Sequence, residues 1–182
     1  MRYVGIGPST KTGFVALDEA GKVIVAKEIM GSGDKDPHRM MSMIDFLILH
    51  LYPGDVICIE SPAMHAQGAA VGFMWGLAHG IRMEMYREGI SYIDVSPAAV
   101  KKFATGKGNA KKDEMILPIN RKWGFEHSSD NVRDAFVLSK IAAALRGNGD
   151  PSVMPNALTS YQMEVLDAIV APPEKKTKRK KA

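Results

Sequence analysis

The chain of 182 residues has one cysteine, Cys58. No internal disulfide can form, which excludes disulfide-stapled scaffolds and fits a reducing cytosol. Cys58 lies inside an apolar segment and reads as core filler rather than as a thiol nucleophile. Long hydrophobic runs are also missing. Ala66 to Met85 is the nearest to one, with glycine at 68, 72, 76 and 80 in a small-xxx-small tandem. His65, Gln67, His79, Arg82 and Glu84 border or interrupt it, leaving an uncharged core of eleven residues, Gly68 to Ala78. A bilayer needs ~20 residues, so the segment reads as a buried helix of a soluble protein and no membrane partner is expected. An h-region is absent as well: Met1-Arg2 leads straight into a short strand, so no signal peptide is expected. The G-x-x-x-x-G-K-[ST] phosphate loop is absent too, which argues against a nucleotide-triphosphate site.

Charge is present but unevenly placed. The formal net charge is +4, yet the last twelve residues alone carry +5, leaving residues 1–170 at −1. Lys175, Lys176, Lys178, Arg179, Lys180 and Lys181 follow Pro172-Pro173 with nothing apolar to bury, so 171–182 reads as a disordered basic tail. Such a tail either scans nucleic acid by counterion release or is merely solvated. Residues 1–170 have the length of one domain.

Hydrophobic patterning predicts an α/β layered fold. Strands are expected over 2–7, 13–18 and 22–29, the last two forming a hairpin. A helix follows over 37–51, with Asp36 as N-cap, Pro37 at the first position, and Met40, Met43, Ile44, Leu47 and Leu51 on one stripe. Val56 to Glu60 is a short apolar run typical of a strand buried on both faces. The glycine-rich helix, a fifth strand over 90–95, and helices over 97–104, 111–123, 128–145 and 158–170 complete the order. The glycine stripe faces either the sheet or a second copy of the chain.

Glu60 ends the buried strand before Ser61-Pro62, so its side chain should project from the strand's carboxyl end, where α/β folds place ligands. Asp130 and Asp134, four apart, share one helix face, and Asp134 is crowded by Val132, Ala135, Phe136 and Val137. Asp130 also suits an N-cap, with Ser128 and Ser129 as competitors. Carboxylates that converge bind hard divalent cations. The segment from Val100 to Lys112 offers Lys101, Lys102, Lys107, Lys111 and Lys112, with Gly106 and Gly108 permitting close approach to a phosphate.

An apolar strand ending in a Pro/Ser/Thr/Lys turn, then Glu60, the Lys/Gly-rich segment, and Asp130 with Asp134: this order resembles the RuvC-type Holliday-junction resolvases, of the phage kind, from residue 1 to about 147. The resemblance implies a ribonuclease-H-like fold with a central five-stranded mixed sheet flanked by helices. It further implies a homodimer, branched DNA as substrate (Holliday junctions and forks), and a cytoplasmic location, in the bacterial host if phage-encoded. Two Mg²⁺ or Mn²⁺ ions would serve the intact family site, held here by Glu60, Asp130 and Asp134, with Asn131 as the alternative to Asp130. Lys101 and Lys112 take the two lysine positions of the family's DNA-contacting segment, Lys112 beside the scissile phosphate. Lys102, Lys107, Lys111 and the tail cations would add DNA contacts. Where the family carries its first metal-binding aspartate, this chain has Gly7. The chain is then either a deliberately inactivated variant or a natural binding-only relative, and little cleavage is expected from it as it stands. Two other functions remain open: a non-catalytic junction-binding protein, and a ribonuclease-H-like enzyme acting on RNA/DNA hybrids.

Overall fold

The computed structural model describes residues 1–62, 68, 71–147 and 157–171. The tail cations from Lys175 to Lys181 and the first residues of the expected glycine-rich helix lie outside them. Strands β1 (Tyr3–Gly7), β2 (Thr12–Leu17) and β3 (Val23–Ile29) form the expected meander. Helix α1 (His38–Ile48), β4 (Val56–Glu60), α2 (Val71–Arg87) and β5 (Ile93–Val95) follow, then α3 (Pro97–Thr105), α4 (Lys112–Trp123), α5 (Asp130–Gly147) and α6 (Ser160–Val170). The sheet order is β3-β2-β1-β4-β5, antiparallel through the meander and parallel from β1 to β4 to β5. This is the five-stranded mixed sheet flanked by helices that the resemblance implies, and the α/β layering that the patterning predicts.

Because side chains alternate along a strand, the sheet sorts its residues into two cores. Val4, Ile6, Phe14, Ile57 and Ile59 pack with Met43, Leu47, Leu77 and Ile81 of α1 and α2. Tyr3, Val15, Leu17 and Cys58 pack instead beneath α5, with α3, α4 and α6 around it. Cys58 is fully buried, as core filler should be, and burial pushes its thiol up to about 12. Parity then puts Gly5 and Gly7 on the α5 face with Tyr3, and Glu60 there with Cys58.

Helix α5 lies almost backbone to backbone on that face. A Cβ at Gly5 would fall 1.9 Å from the Ala135 carbonyl oxygen, and one at Gly13 would fall 2.0 Å from that of Asn131. Only glycine permits this approach. At the helix start, Ser129 Oγ accepts the Val132 amide at 3.3 Å, so Ser129 is the cap and Asp130 is free of that duty. Arg133, almost fully buried, donates Nη1 to the His127 and Ser128 carbonyls and braces the loop leading in.

Three local expectations change. Asp36 does not cap α1; its carboxylate accepts from Arg39 Nη2 at 2.9 Å. Gly76 and Gly80 of α2 face α1 rather than the sheet: a Cβ at Gly76 would meet Met40 Cε at 3.2 Å, and one at Gly80 would meet Ile44 Cδ1 at 2.7 Å. Strand β5 begins only at Ile93. Among the described residues no helix is long and apolar enough to cross a membrane.

Candidate functional site

Strands β1 and β4 run in parallel and end side by side, with Ile6 opposite Ile59 as their last registered pair. One residue further the two strands end, at Gly7 and Glu60, beside the start of α5. The carboxyl ends of parallel strands and the amino end of a helix thus meet in one place, which favours anionic groups and their ligands. A cleft of about 340 Å³ opens there. Its polar lining is Glu60, Lys101, Lys112, Asn131 and Asp134 with the serines Ser9 and Ser61, and Met74 and Trp75 of α2 form part of an apolar wall.

The five positions expected to act together divide. Gly7, Glu60, Asp134 and Lys112 share the cleft, joined by Lys101. Asp130 does not line it. Its Oδ2 accepts a hydrogen bond from Lys112 Nζ, which holds the Asp130 carboxyl below the usual carboxylate range. The residue of that turn that lines the cleft is Asn131, three before Asp134.

The electrostatics follow from this placement. Burial, reinforced by the charge of Asp134, pushes Glu60 up to about 7 against the pull of Lys112 and Lys101. Burial likewise pushes Asp134 up to about 6, with Lys112 opposing and Asp130 adding to the rise. Burial works against the Lys112 ammonium too, but its bond to Asp130 and the charges of Asp130, Asp134 and Glu60 prevail and raise its pKa. Two carboxylates that resist ionisation beside each other suit a divalent cation, which would relieve their repulsion. Among the described residues no group of three or more Asp, Glu, His or Cys stands close enough to share a metal ion. The donors available to such an ion are the two carboxylates that line the cleft, and position 7 has room for a side chain beside them. A Cβ there would meet nothing nearer than the Asn131 carbonyl oxygen at 3.6 Å and Glu60 Oε2 at 3.9 Å.

The other expected DNA contacts disperse. Lys102 projects away from the cleft and pairs with Glu164 of α6 at 2.7 Å. Lys107 and Lys111 are exposed beside the α3–α4 turn, where Gly106 takes φ 85° and ends α3. Sequence reasoning missed Arg82 and Asp94, which flank Glu60 from α2 and β5. The signal in the sequence was Arg82 interrupting a largely apolar, glycine-rich stretch.

No protein-family model matches the chain. The crossover junction endodeoxyribonuclease RuvC of Rhizobium etli strain CIAT 652 is 28% identical over 158 residues, covering 81% of this chain and 92% of that protein. The protein of the same name from Allorhizobium ampelinum is 28% identical over 157 residues, with the same coverage. Among solved structures, Thermus thermophilus RuvC in complex with a Holliday junction substrate superposes with a TM-score of 0.62 at 18% identity, over 87% of this chain and 98% of that one. A second Thermus thermophilus RuvC structure gives 0.59. The fold is the ribonuclease-H-like fold seen in RuvC, and the sequence is similar to those RuvC proteins over 81% of this chain.

Proposed function

We propose that the protein binds branched DNA at this cleft as a RuvC-like junction endonuclease scaffold whose cleavage is impaired by Gly7. The observation that carries the reading is the convergence of Glu60, Asp134, Lys101 and Lys112 at the ends of β1 and β4, on a fold and sequence similar to proteins named for junction cleavage. Glu60 and Asp134 would hold the divalent cation, and Asn131 offers a neutral amide where a further acid would strengthen the site. The ion, Mg²⁺ or Mn²⁺, would supply charge stabilisation of the phosphoryl oxygens and activation of water. Lys112, fixed by Asp130, places an ammonium where charge builds on a cut phosphate, and Lys101 binds the backbone beside it. A homodimer would set two such sites on opposite strands. The basic tail adds affinity that does not depend on sequence.

A second reading has its own observation. With two carboxylates facing two ammonium groups, the cleft is close to neutral, so phosphate can approach without a metal ion. Junction binding without cleavage is the function that this balance favours in the chain as it stands.

Binding and nicking are measured on a four-way junction, a linear duplex and an RNA/DNA hybrid at one salt concentration. Preferential junction binding is expected, with Mg²⁺-dependent cleavage rising about 100-fold or more in Gly7→Asp. A Gly7→Asp protein that binds junctions and stays inert removes the nuclease reading and leaves the binding one. Preference for the hybrid removes both.

A further inference from the structure

Glu60 is the acid on which the cleft depends most, and among the described residues no hydrogen bond reaches its carboxylate. The peptide that carries it is held by an arginine from another layer. Arg82 of α2 donates Nη2 to the Glu60 carbonyl oxygen at 3.1 Å. The same guanidinium reaches Asp94 Oδ1 of β5 through Nη2 at 2.5 Å and Nε at 3.2 Å, and Nη1 donates to Ala78 O at 2.8 Å. Its side chain is 11% exposed and lies 5.6 Å over the Tyr92 ring. Glu60 ends β4, so its carbonyl lies at the edge of the β4–β5 ladder, whose next bond is the Ser61 amide to Val95 O at 2.8 Å.

We infer that Arg82 is a positioning residue: it clamps the last peptide of β4 to β5 and so sets the direction in which Glu60 enters the cleft. A planar fork reaches two acceptors at once, whereas a lysine ammonium on a flexible stem has no such geometry. The clamp also ties Glu60 to α2, whose Met74 and Trp75 form part of the opposite wall, so the acid and the wall are set by one element. For its catalytic consequence the inference rests on the proposed nuclease reading; the clamp itself does not.

The test uses Arg82→Gln and Arg82→Lys, each in the chain as it stands and with Gly7→Asp. Hydrogen exchange at the Ser61 amide reads the clamp without metal or DNA. In Arg82→Gln its protection should fall about tenfold, the loss of a charge-assisted bond, while amides of β1 keep theirs. In the Gly7→Asp background, Mn²⁺ alone should bind about tenfold more weakly to Arg82→Gln, and single-turnover junction cleavage should slow up to about 100-fold with junction affinity unchanged, because small misplacements cost rate rather than binding. Arg82→Lys should recover thermal stability but not Ser61 protection.

Unchanged Ser61 protection, or a fall shared by every core amide, overturns the inference and leaves Arg82 a tether. So does full recovery by lysine, or Mn²⁺ binding and cleavage at the parent level in Arg82→Gln. A local loss at Ser61 in a protein whose Gly7→Asp parent binds no Mn²⁺ supports the clamp and removes the nuclease reading.

Discussion

Gly5 and Gly7 stand two residues apart on β1, face the same helix, and are glycine under opposite conditions. At Gly5 a methyl group would run into the Ala135 backbone at 1.9 Å, and at Gly13, the partner of Gly7 across the ladder, into that of Asn131 at 2.0 Å. At Gly7 the same methyl group has ordinary contact distances, 3.6 Å from the Asn131 carbonyl oxygen and 3.9 Å from Glu60 Oε2. The backbone at Gly7 is not in the left-handed region either. Packing thus accounts for two of these glycines and not for the third. Position 7 is open because no side chain occupies it, within 4 Å of a carboxylate.

The most direct way to break the contrast is to add one methyl group to each. Gly5→Ala and Gly13→Ala should each destabilise the fold by about 3 kcal/mol or more, since neither backbone can yield without lifting α5. Gly7→Ala should be neutral or stabilise by up to about 1 kcal/mol, through the lost freedom of the unfolded chain. Denaturant midpoints compare the three, and equal losses would show that position 7 is a packing glycine after all.

The contrast sharpens when carried to the lysines, one facing the cleft and one turned away. In a Gly7→Asp background, Lys112→Ala should slow single-turnover cleavage about 10- to 100-fold with little change in junction affinity. Lys102→Ala, which removes only an exposed pair with Glu164, should leave the rate alone. A parent rate in Lys112→Ala would reduce Lys112 to a backbone contact.

The smallest expected effect is on stability against pH. Glu60 is raised to about 7 by burial and Asp134, above its value in the unfolded chain, so between those values the folded state binds the extra proton. Stability from this group is present at acid pH and is lost as pH rises towards 7. Glu60→Gln should therefore match the parent near pH 4 and exceed it by about 1–3 kcal/mol at pH 8 without metal. Mg²⁺ should narrow that gap by favouring the ionised parent. Thermal melts over the pH range check it, and a variant less stable than its parent at pH 8 would mean that Glu60 is already compensated by the lysines.

Much of this architecture was legible in the residues. Period-two strands and an apolar run ended by Glu60 report locally on structure, so the succession of elements along the chain and the place of Glu60 at a strand end followed from them. Asp130 against Asn131 was harder to read. Positions three and four before Asp134 lie on nearly the same helix face, and which one enters the cleft depends on where the cap falls and on whether Lys112 reaches Asp130. That Gly76 and Gly80 of the stripe meet α1 was hidden for a similar reason. Small residues announce close approach, but not that flexible Met40 and Ile44 of α1 fill the groove. The Arg82–Asp94 clamp joins residues on separate elements, and no local pattern encodes their meeting.

The open space at Gly7 also has a meaning in the genetic code. Every glycine codon lies one base change from an acidic one, aspartate or glutamate according to its third base. Since a side chain at position 7 displaces nothing, that change asks for no compensating substitution elsewhere. On the proposed function, a lineage carrying this fold could pass between a protein that holds branched DNA and one that cuts it by a single nucleotide. Selection could then reverse the exchange without rebuilding the protein around it.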